Sequence, residues 1–245
     1  MAWYVDYFKD NYFLLEEPIV SEALKHHNFI TSVEKLSDKS KILELGAGSG
    51  RLSLLLSKSG FDVTALELND DILREAKRRA EKEDIKLTFV KDDMRNIRFE
   101  DEFDMVILWS HSFGYFNDQE NHELLISIRK ALKNKGRFLL DLSNRESIIH
   151  DYDMVQKSWI KKENEFLIFN RVMDPLTGRL DSKIFVTGDN ICFREYVTSV
   201  RYYSYTEIKK ELIRAGFKIH QVYGDYSLKP YTLGSSRMII YAEKK

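Results

Sequence analysis

Cysteine is almost missing from this chain: Cys192 stands alone among 245 residues. One thiol excludes an intrachain disulfide and any cysteine cluster for zinc, and the six histidines show neither HExxH nor another paired-ligand spacing. No metal site is therefore expected. Long hydrophobic runs are missing too, since the longest, Met105 to Trp109, falls far short of the ~20 residues that a membrane span needs. The opening stretch MAWYVDYFKDNYF has no basic segment followed by an apolar one, so the sequence reads as soluble, non-secreted and cytoplasmic. An excess charge of either sign is also absent. With 38 Lys and Arg against 39 Asp and Glu, the net charge is -1, and no global field draws the chain to nucleic acid or anionic lipid.

What is present suits a packed core: 43% of residues are hydrophobic, 13% aromatic and 31% charged, which rules out intrinsic disorder. Residues 1–36 read as two helices, the second entered through Glu17-Pro18. From residue 41, short apolar runs alternate with amphipathic stretches, the pattern of βαβ units and a parallel sheet. The runs are Lys41–Leu45, Phe61–Leu66, Leu87–Val90, Phe103–Trp109 and Gly136–Leu142, with helices near 51–59, 69–83 and 118–133. After residue 150 the period becomes strand-like without helices, over Ser158–Lys161, Phe166–Met173, Ser182–Thr187 and Ile191–Tyr203. Turn chemistry separates these strands at residues 174–178 and 188–190. A helix at Thr206–Ala215, stopped by Gly216, and strands at Phe217–Tyr223 and Arg237–Ala242 return to the main sheet.

The expected architecture is an α/β fold: a seven-stranded, mostly parallel, doubly wound sheet with N-terminal helices and an antiparallel β cap inserted before the sixth strand. Its parts are a helical lid at 1–36, a core at 37–150 and 204–245, and a cap at 151–203. Free strand edges in the cap are compatible with a monomer or a homodimer.

The strongest local motif is Lys41 to Arg51, KILELGAGSGR, a strand ending in three alternating glycines that open a helix. Glycines permit close backbone approach to a ligand, and a helix N-terminus offers unpaired N–H groups, so a small polar ligand is expected there. Arg51 and Leu52 break the phosphate-binding GK[ST] pattern, which argues against NTP hydrolysis. One residue rather than two separates Gly48 from Gly50, against the nicotinamide-dinucleotide pattern. Glu67, at the end of the second strand, supplies a carboxylate for both hydroxyls of a ribose. Asp92, Asp93 and Met94 follow the third strand, pairing an acceptor for an adenine amino group with a soft apolar surface. An N-cap followed by a core methionine is the structural alternative for that trio.

Together, ELGAGSG, Glu67, Asp93-Met94 and FDMVILWSHSFGYF (Phe103 to Phe116) resemble the class I, seven-stranded S-adenosylmethionine-dependent methyltransferases. The resemblance implies S-adenosyl-L-methionine as cofactor, becoming S-adenosyl-L-homocysteine. It implies a cofactor site at Glu44, Gly46, Ala47, Gly48, Ser49, Gly50 and Arg51, at Glu67 and Leu68, at Asp92 to Met94, and at Leu108, Trp109 and Ser110. SFGYF, the stretch from Leu132 to Leu142 and the four-stranded insertion resemble more narrowly the bacterial and archaeal small-molecule methyltransferases related to sugar and glycine N-methyltransferases. No NPPY signature of DNA methyltransferases stands at Trp109-Ser110-His111-Ser112, which argues against methylating flipped bases.

Methyl transfer needs alignment above all, with a base where the acceptor holds its proton. His111, at the carboxyl end of the fourth strand, is the expected base or else a loop cap. Tyr4, Tyr12, Tyr115, Asn144, Arg145, Arg201 and Tyr203 are candidates for holding a polar acceptor. The expected function is methyl transfer to a nitrogen or oxygen of a small polar metabolite. A tRNA or other RNA methyltransferase, or a non-catalytic nucleoside-binding regulatory protein of the same fold, is the alternative.

Overall fold

Apolar side chains at every position of a short strand demand burial on both faces, and helices on either side of a sheet provide it. The computed structural model describes all residues except 1, 21, 35, 163, 189 and 190, and the side chains at 17–20, 154–155 and 191–192 are also outside the description. Two helices come first, α1 (Trp3–Val20) and α2 (Ala23–Val33). The core then alternates β1 (Lys41–Leu45), α3 (Arg51–Lys58), β2 (Asp62–Glu67), α4 (Asp70–Lys82), β3 (Thr88–Lys91), β4 (Phe103–Leu108), α5 (Asp118–Ala131) and β5 (Leu132–Ser143). Short helices α6 (Arg145–His150) and α7 (Tyr152–Gln156) lead to β6 (Lys157–Lys162), β7 (Glu165–Asp174), β8 (Arg179–Gly188) and β9 (Ile191–Arg201). The chain closes with α8 (Tyr205–Arg214), β10 (Phe217–Tyr223) and β11 (Arg237–Lys244).

Seven strands form the main sheet in the order β10-β11-β5-β4-β1-β2-β3, with β11 antiparallel to both its neighbours and the pairs from β5 to β3 parallel. The expected fold class is thus present. β6 to β9 make a separate antiparallel meander, placed in the chain between β5 and the last two strands of the main sheet. Met105 to Leu108 of β4 are completely buried, as the central strand of a doubly covered sheet must be. One apolar layer packs α5 and α8 against the sheet, and another packs α2 and α3 against its opposite face.

Several boundaries differ from expectation, and a short helix, α7, stands at Tyr152–Gln156 where a strand-like stretch without helices was expected. Pro18 does not open the second helix: α1 runs on to Val20, and α2 starts at Ala23. β5 begins at Leu132 rather than Gly136, since Leu132 already pairs with Phe103 of β4. The expected turn at residues 188–190 lies partly outside the described residues. Helix starts follow local chemistry, with reciprocal capping boxes at Asn117 and Glu120 for α5 and at Ser204 and Glu207 for α8. No described helix is long and apolar enough to cross a membrane.

Candidate functional site

The carboxyl ends of parallel strands leave a crevice, and the chemistry of this chain gathers there. β1 ends at Leu45, and the glycine turn carries the backbone into α3. Gly48 has φ +58°, and a Cβ at that position would run into the Tyr12 hydroxyl of α1, so glycine is required there both by conformation and by space. Glu67, at the end of β2, accepts hydrogen bonds from the Gly48 amide (3.0 Å) and the Asn69 amide (2.9 Å). Burial raises the Glu67 pKa while those amides oppose the rise. Glu44 is buried beneath the turn, accepts from the Ser53 hydroxyl, and has its pKa pushed up to about 7 by burial.

A cavity of about 260 Å³ opens over this turn. Glu44, Gly46, Ala47, Gly48 and Arg51 line it from the β1 side, and Glu67 and Leu68 from β2. Asp92, Asp93 and Met94 line it after β3, and Trp109 and Ser110 after β4. Three expected residues are not on its wall. Leu108 is completely buried in the core, Gly50 starts α3 packed against Ala76, and the Ser49 side chain is occupied by α1. That last contact belongs to a clamp. Glu16 of α1 accepts from the Ser49 hydroxyl and takes both Nη atoms of Arg79 of α4 (2.8 and 3.0 Å), while the Tyr12 hydroxyl accepts from the Ser49 amide (2.8 Å). Nearer its start, α1 is tied through the Tyr4 hydroxyl to Arg95, whose guanidinium also pairs with Asp93. Tyr4 and Tyr12 therefore line the first cavity.

Beyond β4, Ser110 and His111 both take left-handed φ values, +55° and +61°. Asp141 of β5 holds that turn: its side chain accepts from the Ser110 amide (3.0 Å) and its carbonyl from the His111 amide (3.0 Å). Fully buried, Asp141 is balanced by Arg237 of β11 (2.7 and 2.8 Å) and by the Tyr226 hydroxyl (3.0 Å). The His111 Nδ1 accepts a hydrogen bond from the Ser143 amide at 3.0 Å. Its neutral ring must then carry its proton on Nε2, a buried atom without a hydrogen-bond partner among the described residues. Burial lowers the His111 pKa to about 3, with the Arg237 charge adding to the effect. The expected base is therefore corrected: at neutral pH His111 offers an Nε2–H donor, because its one acceptor nitrogen is committed to the backbone.

His111 lines a second cavity, of about 200 Å³, between α1, the segment after β4, and residues of β7, β8 and β9. Phe8, Ser110 and Tyr115 line both cavities, so the two meet at those side chains. Tyr115 is an expected acceptor residue on this wall, and burial raises its pKa so that the phenol stays protonated. Four others line neither cavity and are corrected. Arg145 (2.8 Å) and Arg201 (2.6 Å) both pair with Glu207, Asn144 caps α6 and holds the carbonyls of Leu233 and Ser235, and Tyr203 is buried in the core with its hydroxyl near Asn121.

Sequence reasoning passed over Asp141 and Arg171, whereas Tyr202 was expected among the cap residues around the acceptor and does line the second cavity. Asp141 carried a usable signal, a carboxylate inside the apolar run of β5, since buried charges are rare unless paired. Arg171 lies on the cavity side of β7, and Tyr202 stacks on His111 with ring centroids 4.2 Å apart.

Residues 42–136 match the family model for a methyltransferase domain. A putative methyltransferase of Bacillus subtilis, YqeM, is 26% identical over 216 residues, covering 85% of this chain and 86% of its own. A glycine/sarcosine N-methyltransferase of Aphanothece halophytica is 28% identical over 126 residues, 50% of this chain and 47% of that one. Among solved structures, the CcbJ methyltransferase of Streptomyces caelestis superposes with a TM-score of 0.84 over 99% of this chain and 98% of that one, at 17% identity.

Proposed function

We propose that this protein, with a match to a methyltransferase domain and the class I fold, is an S-adenosylmethionine-dependent methyltransferase that methylates a nitrogen or oxygen of a small polar metabolite held in the second cavity. The observation that carries this reading is the meeting of the two cavities at Phe8, Ser110 and Tyr115. In-line displacement needs acceptor and methyl donor on either side of such a gap. Residues 37–150 and 204–245 act as the cofactor-binding core, 1–36 as its lid and 151–203 as the cap over the acceptor.

The wall of the first cavity suits the cofactor by its donor set. Glu67 keeps lone pairs for ribose hydroxyls while its other contacts fix its orientation. Glu44 suits an ammonium, whose charge offsets the burial of the carboxylate. Asp93 and Met94 would hold the adenine. When bound, S-adenosylmethionine supplies an electrophilic methyl: the acceptor lone pair forms the new bond, and the C–S electron pair stays on sulfur. The protein aligns the two partners and excludes water.

Nitrogen is the favoured acceptor atom. No Asp or Glu is among the described residues lining the second cavity, His111 has its acceptor nitrogen committed, and Tyr115 stays protonated. An alcohol would need a base there, whereas a neutral amine attacks directly and gives up its proton to water afterwards. Incubation of the protein with a cell extract and cofactor tritiated in the methyl group, followed by size fractionation, tests the proposal. Label in a base-stable, low-molecular-weight product supports it. Label in RNA would favour the polynucleotide alternative, and tight cofactor binding with no methyl consumed would favour the non-catalytic one.

A further inference from the structure

Alternation along its strands gives the four-stranded sheet two faces. Phe169, Ser182, Ile184, Thr198 and Val200 line the second cavity, so their neighbours in sequence point away from it. On that outward side, cross-strand pairing sets Trp159, Ile168, Phe185 and Glu195 in one row. Lys161, Phe166 and Thr187 make the row on one side of it, and Lys157, Asn170, Lys183 and Val197 the row on the other. The rings of Trp159 and Phe166 lie 6.1 Å apart, and Phe193 stacks on Phe185 at 5.4 Å, so the aromatic groups are continuous across the sheet. Yet Trp159 is 65% exposed, Phe193 64%, Val197 57% and Ile168 44%. Four strands ~4.8 Å apart and about ten residues long, at ~3.3 Å each, offer roughly 500 Å² of face. Two such faces would bury about 1,000 Å² between them, the size at which a specific interface begins.

Charge on this face is graded from one edge strand to the other. On β6, Trp159 stands between Lys157 and Lys161, and on β9, Glu195 stands between Phe193 and Val197. Asp181 and Lys183 of β8, opposite in sign and two residues apart, leave the middle of the face without net charge. A twofold interface must be its own complement, because the same patch meets itself. Two axes lying between the sheets keep the strands aligned, as face-to-face packing prefers. An axis across the strands stacks β6 on β6 and sets lysine against lysine. An axis along the strands stacks β6 on β9, which brings the basic edge over the acidic one and leaves the apolar row over itself.

We propose that a second copy of this chain covers the outward face of the four-stranded sheet, about a twofold axis that runs along the strands. Ile168 then packs over Phe185 of the partner subunit, while Lys157 and Lys161 bracket Glu195 of the partner subunit. Burial of the aromatic and aliphatic centre drives the association, and the graded edges fix its orientation. The second cavity lies on the opposite side of the sheet, so the contact adds no residue to it. The pairing uses the face of the sheet and does not depend on its free edges.

Sedimentation velocity on the full chain, from about 1 to 100 μM, tests this. A species of twice the 28.9 kDa chain mass is expected to dominate at the upper end. Ile168→Lys and Val197→Lys, each on an exposed side chain, should weaken self-association by about thirtyfold or more. Glu195→Lys should weaken it by roughly three- to tenfold, and adding Lys157→Glu with Lys161→Glu should restore it to within about threefold of the wild type. An unchanged circular dichroism spectrum verifies the fold of each variant. A dimer insensitive to Ile168→Lys and Val197→Lys would place the contact at a strand edge or elsewhere and overturn the proposal. So would charge reversals that do not rescue one another. A chain that stays monomeric at 100 μM would leave this face to a different partner and overturn it as well.

Discussion

His111 shows how one hydrogen bond decides a role. A histidine at the end of a central strand invites assignment as a base, but the Ser143 amide takes Nδ1 and leaves Nε2 as a donor. With the pKa lowered to about 3, no histidine titration should shape the rate between pH 5.5 and 8. His111→Ala should lower turnover about tenfold through loss of an aligning donor, with cofactor affinity nearly unchanged, and His111→Gln should restore part of it by supplying both an acceptor and a donor. The ratio of wild-type to His111→Ala rates should be flat across that range. A ratio that falls tenfold per unit below about pH 6.5 would mean that the ring acts as a base after all. Glu44 predicts the opposite kind of pH dependence. Its folded pKa, about 7, lies above that of an unfolded glutamate, so the folded chain holds a proton that the unfolded chain releases. Stability of the ligand-free protein should therefore decline as pH rises from about 4.5 to 7 and level off above. A cofactor ammonium seated on Glu44 needs the carboxylate, so cofactor affinity should rise between pH 6 and 8 with proton release below pH 7, and Glu44→Gln should abolish both effects in calorimetry.

At the scale of elements, α1 is the piece that joins everything else. It contacts the glycine turn through Tyr12 and Glu16, the segment after β3 through Tyr4, and β9 through Asp10 and Tyr196 (2.8 Å). Tyr4, Phe8 and Tyr12 of that helix wall the first cavity, which makes α1 the candidate gate for the cofactor. Glu16→Gln, which retains hydrogen bonding but removes the charge facing Arg79, should speed S-adenosylhomocysteine dissociation by roughly three- to tenfold in stopped-flow displacement. An unchanged rate would show that α1 does not gate the site. The strands and helices of the core were legible in sequence because burial on both faces leaves continuous apolar runs, and the glycine turn because its backbone needs three consecutive alternating glycines. The acceptor side was far less legible. Arg145 and Arg201 looked available, yet Glu207, separated from Arg145 by 62 positions in sequence, takes both. Arg171, which looks like an ordinary charge on a cap strand, reaches the cavity because the register of β7 with β8 turns it inward. Strand register over a long meander sets which alternate residues face in, and a shift of one residue reverses the choice.

For the whole molecule, the near balance of charge carries a prediction about the kind of ligand it takes. A ligand that binds only the folded chain stabilises it by mass action, so S-adenosylhomocysteine at about 100 times its dissociation constant should add roughly 2.7 kcal/mol. In a chain of this size that corresponds to about 5–10 °C in melting temperature. NAD at the same concentration should give no shift, because the glycine spacing departs from the pattern that cradles a dinucleotide pyrophosphate. Salt then separates the two acceptor classes. An enzyme that grips a polynucleotide neutralises several phosphates, and its activity falls steeply from about 50 to 200 mM salt. A small acceptor enclosed in the second cavity is shielded from bulk ions, and its KM should stay within about threefold over the same range. A steep loss of activity with salt, at an unchanged S-adenosylhomocysteine shift, would place the acceptor on a basic outer surface and not in the cavity beneath the four-stranded sheet.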